Sequence, residues 1–211
     1  MAAKIVAIDA RQPDPALLER AAAILRAGGL VIVPTSGLYG LAAVATDEAA
    51  VARVAQAKGR TADKPILVLI CRLSQLTRIS LDMPPTGRRL IESFWPGGVT
   101  LVVKARPGLP QPLISNGKVG VRQVAHHVTA ALIDRVATPV TGTSANCSGQ
   151  PAAAAVADLS ADIIAAVDLV LDAGTLAGGP GSTVVDVSAE SAEVLRQGAV
   201  SRQQILQALE P

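Results

Sequence analysis

The sequence predicts an α/β fold, a mixed or parallel sheet with helices on its faces. Short β-branched apolar runs alternate with stretches of helical period. Several runs end in loops carrying Thr, Ser, Asn, Arg or Lys, where open α/β sheets hold their ligands. Half of the 211 residues are hydrophobic and 17% are charged, which suits a sizeable core. A single domain spanning 1–211 is expected.

Residues 4–8 read as an edge strand. Pro13, Asp14 and Pro15 open a helix reaching Arg26, with Leu17, Ala21, Ile24 and Leu25 on one face. Gly28 and Gly29 stop it, since glycine accepts the left-handed cap. Residues 30–33 form a buried strand, ended by Pro34, which has no N–H for the ladder. Thr35 lies just past that strand, and the residues after it read as a glycine-bearing loop. Thr46 reads as an N-cap, with Asp47 and Glu48 in the first turn and Val51, Val54 and Ala55 on the apolar face. The helix ends at Lys58-Gly59-Arg60. Lys64-Pro65 then leads into a second buried strand, 66–70.

Further on, 73–77 reads as a short turn of helix and 84–94 as a helix ending before Pro96. Strands are expected at 99–103 and 119–122, separated by a proline-bearing loop. A helix over 126–137 turns Val128, Leu132 and Val136 inward. Residues 139–141 are strand-like and open into a small-residue turn, 142–149. An alanine-rich helical region covers 153–166, and 168–171 is a strand followed by a glycine-rich segment, 174–181. Strands at 182–187 and 193–196 follow, and Ser201 caps a final helix.

Composition excludes several functions. Tyr39, Phe94 and Trp95 are the only aromatic residues, too few for a base-stacking platform. A net charge of +2 does not argue nucleic-acid binding in bulk. The aliphatic runs fall far short of the roughly 20 residues of a membrane helix, so no membrane association is expected. The opening MAAKIVAIDARQPDP has no signal-peptide pattern. Cys71 and Cys147 sit in no metal-ligand spacing, which fits a reducing, cytoplasmic compartment. There is no P-loop, no GxGxxG after a strand, no HExxH and no GxSxG elbow.

The remaining chemistry is hydroxyls, amides and cations on loops. Ser144 and Asn146 offer an acceptor and a donor, or simply hold a turn. Lys58, Arg60, Lys64, Arg122 and Arg196 supply positive charge; Lys58 and Arg60 read equally as a solvated helix end. This set suits a phosphate-bearing ligand and an amino acid, with catalysis by positioning and charge stabilisation.

The chain resembles the YrdC-like threonylcarbamoyl-AMP synthases along nearly its whole length. Pro34-Thr35-x-x-x-Tyr39-Gly40-Leu41 is similar to the family's PTxTxYGL. Lys58-x-Arg60 with Lys64-Pro65 is similar to KxRPxxKP, and Phe94-Trp95-Pro96-Gly97 with Thr100-Leu101 to FWPGPLTL. Val121-Arg122 with His126 resembles VRxPxH, and Ser144-Ala145-Asn146-x-Ser148-Gly149 resembles SANxSG. Ser182 to Asp186 resembles STVVD, and Leu195-Arg196-x-Gly198 resembles LRPG. The chain departs from these patterns at Gly37, Val124 and Gln197, and at Leu69, where the family often has histidine.

The resemblance implies a twisted, mixed, open sheet around a large concave cleft, without the extra C-terminal domain of some relatives. It implies that L-threonine, bicarbonate and ATP, with Mg2+ on the phosphates, are joined into threonylcarbamoyl-adenylate and pyrophosphate. The product would pass to a separate threonylcarbamoyl transferase that modifies tRNA. By the same resemblance, Thr35, Arg122, Gly142 and Ser182 hold threonine. Arg60, Lys64, Lys118 (through its backbone), Ser144 and Arg196 hold ATP. Lys58, Arg60, Ser144 and Asn146 form the catalytic set. Two related readings stay open: a YciO-like protein that binds nucleotide, tRNA or double-stranded RNA without synthase activity, and a carbamoyl-adenylate transferase like that of hydrogenase maturation proteins.

Overall fold

The computed structural model describes residues 4–59 and 64–210. In chain order the elements are β1 (Lys4–Ala7), α1 (Pro15–Arg26), β2 (Val31–Pro34), β3 (Tyr39–Ala42), α2 (Glu48–Ala57) and β4 (Val68–Ile70). Next come α3 (Pro85–Phe94), β5 (Val99–Lys104), β6 (Ile114–Ser115), β7 (Lys118–Gln123), α4 (His127–Val136), β8 (Val140–Thr141) and β9 (Thr143–Ser144). The chain closes with α5 (Ala161–Ala166), β10 (Leu169–Asp172), β11 (Thr183–Asp186), β12 (Glu193–Arg196) and α6 (Arg202–Leu209).

The mixed, open α/β architecture agrees with the expectation, but hydrogen bonding divides the strands between two sheets. One runs β1-β10-β2-β3-β9, the other β12-β11-β5-β7-β4-β8, with β6 against β7. Both mix parallel pairs, such as β10–β2 and β11–β5, with antiparallel ones. Residues 140–144 join them: β8 pairs with β4 in the second sheet, and β9 with β3 in the first. Thr141 strengthens the joint. Its hydroxyl accepts from Ala43 N at 2.9 Å and donates to Leu41 O at 3.0 Å.

β2 explains why its run is unbroken by polar residues. Val31 and Val33 pack under α1 and α4, while Ile32 turns to the opposite core beside Leu41 and Val170. Both faces are buried, as in parallel-sheet strands generally. α1 contributes Leu18, Ala21, Ala22 and Leu25 to the first core, and α4 contributes Val128, Leu132 and Ile133.

Three local expectations need correction. The loop expected after Pro34 contains β3, paired antiparallel to β2 from Tyr39 opposite Pro34 to Ala42 opposite Val31. Asp47, not Thr46, caps α2, because its carboxylate reaches Ala50 N at 3.0 Å. The helix expected over 153–166 is a 3-10 turn at Val156–Asp158 followed by α5, with Ser160 capping Ile163 N. Ser201, by contrast, caps α6 as expected, accepting from Gln204 N at 3.2 Å. Among the described residues no helix is long and apolar enough to cross a membrane.

Candidate functional site

A cavity of about 830 Å³ opens over one face of the second sheet and the β2–β3 turn. Thr35, Lys118, Arg122, Gly142, Ser144, Ser182 and Arg196 all line it. They come from β2, β7, β9, β11, β12 and the turns beside them, so the fold gathers residues up to 161 positions apart in the chain. A second hollow, about 400 Å³ between β1 and α1, gathers none of them.

Strand alternation makes the floor. Side chains two apart share a face, so β7 presents Lys118, Gly120 and Arg122, β5 presents Thr100 and Val102, and β11 presents Val184 and Asp186. Thr100 and Asp186 belong to the matched motifs but had no assigned role. Counting by twos from Lys118 and from Ser182 finds Gly120, Val184 and Asp186; Thr100 is reached only through the place of β5 between β7 and β11.

Arg122 is the site's most telling group. It is 8% exposed, and its Nε is buried with no hydrogen-bond partner among the described residues. Burial first, and then the nearby charge of Arg196, push its pKa below the usual arginine range. A guanidinium taken from water without a carboxylate partner is costly unless a ligand supplies the anion. Arg196 is anchored beside it, donating from Nη2 to Ser182 O at 2.9 Å. The Ser182 and Thr100 hydroxyls lie 2.7 Å apart in the same wall. Thr35 at the cavity's other side donates to Leu38 O at 2.6 Å, which leaves its hydroxyl oxygen able to accept.

Lys118 and Asp186 pair at 2.7 Å near the far end of the floor. Burial raises the Asp186 pKa, but hydrogen bonds from Lys118 and Ser188 and the Lys118 charge outweigh it and hold the carboxyl below its ordinary range.

Gly142 is glycine for a packing reason. A Cβ there would lie 2.3 Å from Leu69 Cγ, and Leu69 is fully buried. The position where the family often has histidine is thus filled by a core leucine pressed against the crossover between the sheets.

Lys58 and Asn146 are not among the cavity's lining residues. Lys58 is 2% exposed rather than solvated. Its ammonium donates to Ser144 O, to Asn146 O at 2.6 Å and to Asn146 Oδ1 at 3.2 Å. Its own carbonyl accepts from Ser148 N at 2.8 Å. The Asn146 amide donates to Gln150 O at 2.6 Å. Together they brace, from behind, the loop that presents Ser144. Lys64 precedes Pro65, a lining residue, and is itself exposed at the rim. Arg60 lies outside the described residues.

The architecture defines an α/β protein with an open cleft whose lining gathers the cations Lys118, Arg122 and Arg196. The Sua5/YciO/YrdC family model, described as "Telomere recombination", matches residues 23–198, and the chain belongs to this family. It is 35% identical over 187 residues to the Pyrococcus abyssi threonylcarbamoyl-AMP synthase, covering 88% of this chain and 55% of that one. The Bacillus subtilis threonylcarbamoyl-AMP synthase is 33% identical over 194 residues, 91% of this chain and 56% of that one. The chain therefore spans about half the length of these two relatives. A Mycobacterium leprae protein matches at 38% over 204 residues, 95% of this chain and 92% of its own. The structure of P. abyssi Sua5 complexed with L-threonine superposes with a TM-score of 0.91 at 31% identity, covering 97% of this chain and 60% of that one. Escherichia coli YciO shares the fold, with a TM-score of 0.84 at 22% identity, covering 96% and 99%.

Proposed function

We propose that this chain forms threonylcarbamoyl-adenylate and pyrophosphate from L-threonine, bicarbonate and ATP, and so acts as a nucleotidyltransferase. One observation carries the reading: the buried Arg122 guanidinium, unpartnered at Nε, faces the cavity beside Arg196 and the Ser182–Thr100 hydroxyls. An amino-acid carboxylate would relieve that charge, and the threonine complex of P. abyssi Sua5 adds to the case.

In this reading Arg122 takes the threonine carboxylate, and Thr35 and Ser182 take its polar side, against the crossover at Gly142. The threonine nitrogen attacks the bicarbonate carbon and water leaves, giving an N-carboxylate. One of its oxygens attacks the α-phosphorus of ATP, and the bond to the β-phosphate breaks. Arg196, Lys64, Ser144, Lys118 and, from the sequence, Arg60 hold the nucleotide. Magnesium enters with the ATP as part of the substrate. Lys58 and Asn146 act through the loop they brace. The product would pass to a separate transferase for tRNA modification in the cytoplasm.

The test is pyrophosphate release from ATP and bicarbonate with and without L-threonine. Threonine-dependent release with a new adenylate is expected. Nucleotide or RNA binding with no adenylate formed would replace the reading with the YciO-like one.

A further inference from the structure

The glycines that line the cavity are not alike. Gly179 and Gly181 have φ of 103° and 74°, where other residues are strained. Gly142 is enforced by Leu69, and a Cβ at Gly40 would press to 3.2 Å from Thr35 Cγ2. Gly120 has no such reason. It lies mid-strand in β7 opposite Val102, outside the left-handed region, and a Cβ there would meet only Thr100 Cγ2, at an ordinary 3.5 Å. Glycine weakens a strand interior. The fold would accept alanine, so the bare backbone serves the space above it.

That space has a definite chemistry. The Arg122–Arg196 end, with Ser182, suits anions. Beyond it the floor is the Gly120 backbone, Val102 and Val184, bordered by Leu195, which is 52% exposed. A flat apolar floor with an apolar border suits a ring system rather than a phosphate or carboxylate.

We propose that Gly120 is a specificity-determining residue whose missing side chain lets the nucleobase of the nucleotide lie flat on β7 between Arg122 and the Lys118–Asp186 pair. This rests on the nucleotide reading above.

The test is Gly120→Ala, measured by thermal melting and by calorimetric titration with ATP and, separately, L-threonine. The expected result is a melting temperature equal to or above wild type, ATP affinity reduced at least about tenfold, and threonine affinity changed less than about twofold. Gly120→Val should weaken ATP binding further. Unchanged ATP affinity in both variants overturns the inference, and so does a Gly120→Ala chain that melts well below wild type, because the fold would then need the glycine. A wild-type chain that binds no ATP overturns the nucleotide reading, and this inference with it. Wild-type binding matched by Gly120→Ala overturns this inference alone.

Discussion

Lys58 and Arg122 are both buried, 2% and 8% exposed, and both belong to the set the sequence singles out. Lys58 gives its ammonium to three oxygens of the loop that presents Ser144. Among the described residues, Arg122 keeps a buried Nε without an acceptor and has Arg196, another cation, as a charged neighbour. A cation satisfied by protein oxygens holds shape; a cation left short of them is built to meet a ligand. Sequence spacing treats the two alike, and only the three-dimensional hydrogen bonding separates them.

The sharpest way to break this contrast is to remove each charge at nearly constant volume. Arg122→Met should lower kcat/KM for threonine by about 10²–10³-fold, the scale of losing a charge-assisted carboxylate contact. It should melt at or above wild type, since an unsatisfied buried charge is gone. A sharp fall in melting temperature with activity retained would reverse the assignment. Lys58→Met should behave oppositely in stability. It leaves the part-buried carbonyls of Ser144 and Asn146 without this donor, at a cost of about 2 kcal/mol in denaturant unfolding. Its activity should fall with the loop, and unchanged stability would show that Lys58 is not a brace.

These two residues also mark what the sequence could and could not reveal. The apolar runs at β2, β4, β5 and β10 are legible because burial on both faces excludes polar residues, as at Val31, Ile32 and Val33. Of the residues that line the cavity, Thr35, Arg122, Ser144 and Arg196 are legible as hydroxyls and cations beside strands, whereas Lys118, Gly142 and Ser182 come only from the family resemblance. β3 was hidden because Tyr39-Gly40-Leu41-Ala42 is short, carries a glycine and follows a turn. The split into two sheets rests on pairing between residues about 70–100 positions apart, such as Val68 with Thr141 and Gly40 with Ser144. No local periodicity encodes that. Lys58 looked solvated for the same reason: its acceptors lie 86 and 88 residues away.

A smaller effect probes the crossover. Gly142→Ala places a methyl against Leu69, and overpacking of this kind costs about 1–3 kcal/mol. Leu69→Ala in the same chain should recover part of the loss, because it clears the contacted atoms. Failure of the double variant to exceed the single one would show that the contact is not the cause.

The smallest expected effect concerns pH. The Asp186 carboxyl is held below the ordinary aspartate range, so its contribution to stability is present at neutral pH and lost as pH falls through its folded-state pKa. With Lys118 partly exposed, that contribution should be under about 1 kcal/mol. Wild type should therefore melt slightly above Asp186→Asn at pH 7, and the two should converge as pH falls through the lowered folded-state pKa of Asp186. A difference that grows on acidification would have the wrong sign.

The orphaned guanidinium is tested most directly by calorimetric titration of the wild-type chain with L-threonine and with L-threoninol, which lacks the carboxylate. Threonine should bind and threoninol should bind at least about 100-fold more weakly, the scale of a lost charge-assisted pair. Equal binding of the two would mean that Arg122 does not seat a carboxylate, and the reading of the cavity would fail.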